Sequence, residues 1–303
     1  MGRIVGAALL AHVPTIMLPE SVRKDLNDGK EISLVPGLKR LRREIFETLD
    51  YDTVVVLDSH WATTVEFVVT AAAERSGLYT SEELPRGMSQ IPYAIKGDPE
   101  LAHAIAQYDE KNGTWITPIS DPHLPIFYAT LNLWHYLGRG LDEKRWISMS
   151  VCQTGVPEDF IRAGRAIGEA IRDIDRKVLV VASGALSHTF HKLRDLRKHE
   201  ASDPVHIYSK EAYLYDLQVL EWMKAGNHKA ILDDFETFRK YRPEAGFFHY
   251  LAMAGALGEG ANTARGILYS EYENSIGTGQ VHVYFPEPEN GFPQPKDLEL
   301  SRD

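Results

Sequence analysis

Thr53-Val54-Val55-Val56-Leu57-Asp58-Ser59-His60-Trp61 opens with an apolar run over 53–57 and reaches a histidine three residues later. Its β-branched core is too short for a helix and lacks polar alternation, so residues 53–57 read as a strand buried on both faces. Just upstream, Leu38, Leu41, Ile45, Phe46 and Leu49 recur at helical spacing. Residues 4–10 form a second such strand. Residues 177–182, Lys-Val-Leu-Val-Val-Ala, form a third, after a helix at 158–174 with Phe160, Ala163, Ile167, Ile171 and Ile174 on one face. Strands alternating with helices predict an α/β fold with a mainly parallel or mixed sheet flanked by helices. Beyond about residue 190 the pattern changes. Residues 191–210 read as a polar surface excursion, and two or three helices follow between 208 and 257. Residues 266–272 and 280–285 then form a closing strand pair joined through Gly277-Thr278-Gly279. No repeat or linker interrupts the chain, so the expectation is one domain over 1–287 and a loosely held, proline-bearing tail over 288–303.

The 303 residues are 44% hydrophobic and 25% charged, ordinary for a globular protein. Lys and Arg number 33 against 43 Asp and Glu, a net charge of −10 with no basic block. Such a chain is a poor candidate for gripping nucleic-acid phosphates. The single cysteine, Cys152, excludes an intramolecular disulfide and a cysteine-rich metal site. It fits a reducing, cytoplasmic setting. The opening residues have a basic residue and a short apolar run, as a signal peptide does. The run breaks at His12 and Pro14 with no small-residue cleavage site, so it reads as the first core strand. No stretch approaches the roughly 20 apolar residues of a membrane-spanning helix.

Of the twelve histidines, His12 and His60 stand just beyond the carboxyl ends of two strands, and His188 follows the third in Ala182-Ser183-Gly184-Ala185-Leu186-Ser187-His188. Ligands of open parallel sheets bind outside those ends. If the strands are neighbours, three imidazoles meet in one crevice; otherwise each simply bonds nearby backbone.

These stretches carry a resemblance. Leu10-Ala11-His12-Val13-Pro14, Val55 through Trp61, Gly77-Leu78-Tyr79-Thr80-Ser81-Glu82-Glu83-Leu84-Pro85, Ala182 through His188, and Gly277-Thr278-Gly279-Gln280-Val281 are similar, in order and spacing, to the class III (LigB-type) extradiol ring-cleavage dioxygenases. Within them the chain most resembles the branch acting on 3,4-dihydroxyphenylacetate. The resemblance implies that His12 and His60 bind a non-haem Fe(II), for which Mn(II) can substitute. It implies a glutamate as third ligand, pointing to Glu244 in Pro243-Glu244-Ala245-Gly246-Phe247-Phe248-His249, with Glu236, Glu259, Glu271 and Glu273 as alternatives. Two histidines and one carboxylate on one face of the metal leave the opposite positions open for a catechol and dioxygen. His188 matches the acid–base histidine, a task that the free imidazole's titration range suits.

Some relatives carry a second active-site histidine where this chain has Tyr128, within Ile126-Phe127-Tyr128-Ala129-Thr130. A phenol titrates near pH 10, which suits Tyr128 to positioning rather than general base work. His123 either lines the site or is an idle loop histidine, and His249, just over a turn past Glu244, is a candidate supporting residue. His135, His191, His199, His206 and His228 read as solvated. The implied partners are a small aromatic substrate, dioxygen and a second copy of the chain in a homo-oligomer. Competing readings are cleavage of a 2-aminophenol, a non-catalytic binding protein on the same fold, and a zinc hydrolase, since the ligand set also suits zinc.

Overall fold

A computed structural model describes residues 2–121 and 123–293. Eight strands form the main sheet in the order β6-β3-β7-β2-β8-β1-β12-β9. Its centre is β1 (Arg3–Leu10), β2 (Thr53–Thr63), β7 (Arg145–Cys152) and β8 (Lys177–Ser183), all parallel to their neighbours there. β3 (Phe67–Thr70) and β6 (Ile116–Ile119) extend one edge. On the other edge, β12 (His282–Pro286) runs antiparallel to β1 and carries β9 (Ile267–Leu268). β4 (Glu74–Tyr79) with β5 (Ile91–Lys96), and β10 (Glu273–Ser275) with β11 (Thr278–Gln280), are separate hairpins.

The apolar strands are covered on both faces, as a continuous hydrophobic run demands. Leu9, Val55, Leu57, Val178 and Val180 face one core, shared with α3 (Pro99–Gln107), α6 (Pro157–Asp173) and α10 (Phe248–Ala256). Leu10, Val54, Val56, Leu179 and Val181 face the other, with α2 (Leu34–Leu41) and α5 (Tyr128–Leu137). The chain also contains α1 (Glu20–Leu26), α4 (Asp109–Asn112), α7 (Lys210–Ala225), α8 (His228–Asp233) and α9 (Phe235–Phe238). No described helix is long and apolar enough to cross a membrane.

The expected α/β architecture is present, with the helical later half and β9 and β12 as the closing pair. Between those two strands lies the β10–β11 hairpin, which turns through Ile276 and Gly277 with φ of 49° and 113°. Positive φ at both turn residues is the twist a short hairpin wants. The usual Asn-Gly signal is missing, so no local pattern announces this hairpin. Of the expected tail, 294–303 lie outside the described residues, whereas Phe292 packs against the main core.

Candidate metal centre

Register, which no single segment encodes, assembles the site. Ser183 at the end of β8 is the partner of Leu10 on β1 and of Asp58 on β2. Leu10, Asp58 and Ser183 therefore stand on one line across the sheet, and His12 and His60 each follow it by two residues. Between Asp58 and Ala62 the pairing of β2 with β7 breaks in a bulge, which re-aims the strand. Asp58 holds the bulge from inside. Its Oδ1 accepts the N–H groups of His60 (3.0 Å) and Trp61 (2.9 Å), and its Oδ2 accepts the hydroxyl of Thr130 (2.6 Å).

Glu244 comes from a different part of the chain. Glu244 N–H donates to Leu186 O (3.2 Å) and His188 N–H to Arg242 O (3.0 Å), so the two segments pair antiparallel around a bridge between Ser187 and Pro243. The next residues, Ala245, Gly246 and Phe247, all have φ between 48° and 66° before α10 begins. Backbone held there by non-glycine residues is strained and persists where surrounding packing enforces it. Phe247 and Phe248 are both fully buried core residues.

The result is a convergence of His12, His60 and Glu244, whose ligand atoms lie within 4.8 Å of one another. Glu244 Oε1 is 3.4 Å from the Nε2 atoms of both His12 and His60. The four alternative glutamates stand elsewhere: Glu259 pairs with Arg165, Glu236 with Arg239, Glu273 accepts from Ser33, and Glu271 is exposed.

Hydrogen bonding prepares each member. Ser183 Oγ–H donates to Ala129 O (2.9 Å), so toward His12 Nδ1 (2.9 Å) the same oxygen must accept. The proton of neutral His12 is thereby on Nδ1, and the Nε2 lone pair faces the carboxylate. Asn132 Nδ2–H fixes the backbone by donating to His12 O (2.8 Å). Glu244 Oε1 accepts from Ser59 Oγ (2.5 Å) and Oε2 from Ala185 N–H (2.6 Å). Burial alone would raise the Glu244 carboxyl, but His12, His188 and His60 hold it well below its ordinary value. Burial, then His12, lowers His60 to about 4, so it is a neutral imidazole near pH 7. An ionised carboxylate and a neutral His60 are protonation states that metal binding requires.

The first turns of α5 do much of this supporting. Tyr128, Ala129, Thr130 and Asn132 each bond a different residue of the site, and of these only Tyr128 stands at a position that the family resemblance marks. Tyr128 O–H donates to Glu83 Oε2 (3.0 Å), and its oxygen lies 2.6 Å from His60 Nε2. Burial, then Glu83 and Glu244, pushes its pKa up, so it stays a phenol. Glu83, from the loop between β4 and β5, also places Oε1 3.7 Å from His60 Nδ1. Nothing in its surroundings as sequence distinguished it from Glu82.

His188 is half-buried beside the centre, its ring 4.7 Å from that of Phe190, and its charge bears on Glu244 and His60. His123 is exposed on its loop, with its N–H donating to Asp121 Oδ1 (2.7 Å), and stands outside the converging group. His249 is fully buried, and its ring occupies the place where a side chain on Gly184 would go. Its Nε2–H donates to Ala185 O (3.1 Å), the residue whose N–H holds Glu244. Gly184 thus makes room for that ring. His228 corrects the solvated reading: it is buried, bonded to Tyr250 Oη (2.8 Å) and Ala264 O (2.9 Å).

The chain is similar to known proteins in sequence and in fold. A model of the catalytic LigB subunit of aromatic ring-opening dioxygenases matches residues 6–286. A curated protein of Escherichia coli, 3,4-dihydroxyphenylacetate 2,3-dioxygenase, is 29% identical over 263 residues, covering 85% of this chain and 91% of that protein. The crystal structure of an uncharacterized protein from Escherichia coli K12 superposes with a TM-score of 0.61 at 16% identity, over 93% of this chain and 99% of that one, a likeness of fold.

Proposed function

Because the chain belongs to the LigB family of aromatic ring-opening dioxygenases, we propose that it performs extradiol cleavage of a catechol at an Fe(II) ion held by His12, His60 and Glu244. The observation carrying this reading is the convergence of those three side chains with the His12 lone pair already aimed inward. The donor set, two imidazoles and one carboxylate, fits a divalent iron or manganese ion. Once bound, the metal supplies a centre at which catechol and dioxygen meet and exchange electrons.

The remaining work falls to the protein. Ser183, Asn132, Ser59 and Ala185 keep the ligands in place so that binding costs little reorganisation. His188 takes a proton from a catechol hydroxyl at its imidazole nitrogen and returns it as the ring opens. Tyr128 positions the substrate as a neutral phenol, anchored by Glu83. An acidic side chain on the substrate is inferred from the 3,4-dihydroxyphenylacetate named for the Escherichia coli relative.

The test is oxygen uptake by Fe(II)-loaded protein with 3,4-dihydroxyphenylacetate, 2-aminophenol and unsubstituted catechol. The expected outcome is one oxygen consumed per yellow ring-opened product formed, fastest with the first substrate. Fastest uptake with 2-aminophenol would move the substrate assignment. Bound iron without uptake on any of them would sink the catalytic reading in favour of a binding protein.

A further inference from the structure

The segment that leads from β8 to His188 is tied down at nearly every backbone group. Gly184 N–H donates to Leu10 O (3.0 Å), Leu186 N–H to Gly279 O (3.0 Å) and Gly279 N–H to Ser187 O (2.9 Å). Glu244 and Arg242 hold Leu186 O and His188 N–H on the other side. Ser187 N–H goes instead to a side chain, Asp216 of α7, at 3.1 and 3.3 Å from the two carboxylate oxygens. Ser187 Oγ–H and Tyr272 O–H also donate to Asp216 Oδ2, each at 2.6 Å.

Asp216 is wholly buried, and among the described residues it has no ion-pair partner. An unpaired buried carboxylate is costly, and an apolar residue would anchor a helix equally well. Gly279 is shaped to admit it, since a Cβ there would lie 2.3 Å from Asp216 Oδ2. Burial pushes the carboxyl up to about 7, with the Ser187 and Tyr272 bonds pulling it back. Four hydrogen-bonding contacts thus meet at one carboxylate, and three of them restrain the residue immediately before His188.

We propose that Asp216 is the positioning residue of His188: by gripping Ser187 it sets the direction in which the imidazole leaves the strand. The inference rests on the acid–base reading of His188 given above. His12 and His60 have supports of their own, and the Glu244 carboxylate is also held from β2 by Ser59, so loss of this grip is felt more in turnover than in metal binding. A misplaced proton-transfer group costs rate steeply.

The test uses Asp216→Asn, which keeps the shape but turns one acceptor into a donor facing donors. In the iron-loaded protein, kcat per bound iron should fall roughly tenfold to a hundredfold, with KM and iron content little changed. In a His188→Asn background the same change should add nothing, because coupled residues are not additive. In the metal-free protein the NMR signals of the His188 ring should shift, while those of His282 stay. The proposal is overturned if activity falls only in step with lost iron, if the loss adds in full to that of His188→Asn, or if the His188 signals do not move. Normal turnover by His188→Asn alone would instead remove the acid–base reading. Should Asp216→Asn fail to fold, Tyr272→Phe and Ser187→Ala each delete one donor. Either should lower kcat in a His188-dependent way, and no loss from both would overturn the proposal.

Discussion

A hydroxyl decides the chemistry of His12. Because Ser183 Oγ–H is committed to Ala129 O, the imidazole must donate to it from Nδ1 and keeps Nε2 free. Ser183→Ala removes the acceptor and leaves a buried N–H unpaired. We expect iron affinity to fall roughly tenfold to a hundredfold, as for other lost supports of metal-binding histidines, measured by competition with a chromogenic chelator. Unchanged affinity would mean that the ring is held by packing alone. His12, His60, His188 and Tyr128 were legible in sequence because each sits in a local motif. Ser183, Thr130, Asn132 and Glu83 were not, because a polar residue at a strand end or on an apolar helix looks the same whether or not it meets a partner far along the chain. Asp58 and Ser59 belong to the stretch at 55–61, yet their partners, Thr130 and Glu244, are remote.

Individual elements are tied to the site by buried polar contacts. β12 carries His282, whose Nδ1 accepts Ala11 N–H (3.2 Å) while Nε2 faces Leu34 O (3.2 Å), joining the end of β1 to the start of α2. Burial depresses its pKa to about 3. Below the ordinary value of about 6.5, the unfolded chain binds a proton that the folded chain refuses. Stability contributed here is therefore fully present above about pH 6.5 and is lost as pH falls toward 3. Urea unfolding at several pH values should show His282→Gln to be less stable at neutral pH but with a shallower acid slope; an unchanged slope would place the acid sensitivity elsewhere. The helices α6 and α10 show the limit of periodicity. Gly164 and Gly255 let their backbones nearly touch, with a Cβ on Gly164 falling 1.9 Å from Ala252 O. Helical spacing finds the buried face, but the partner across it is a matter of tertiary packing. The excursion at 191–210 is likewise more ordered than its polarity suggests. His191 stacks on His199 at 3.5 Å, and Asn274 of β10 holds the carbonyls of His199 (2.9 Å) and Ala201 (2.8 Å).

For the molecule as a whole, the site joins the N-terminal strand, β2, the segment after β8 and the chain before α10. A metal that binds only the folded arrangement stabilises it by mass action, by about 4 kcal/mol at a thousandfold excess over Kd. Removing iron with a chelator should lower the melting temperature by several degrees, and re-adding Fe(II) should restore it. A His12→Ala variant should melt at one temperature with or without iron. Equal melting of loaded and stripped wild-type protein would count against a centre shared by these segments. The alternation of strands and helices, the histidines beyond the strand ends and the family pattern are all written in the chain, because periodicity and motif are local properties. Folding adds three things that no segment carries alone: β8 lies between β1 and β2, Glu244 and not another glutamate meets the histidines, and a buried aspartate grips Ser187 beside His188. Those outcomes depend on register and on contacts between distant segments, where the energy of a buried polar pair exists only once both partners have been brought together.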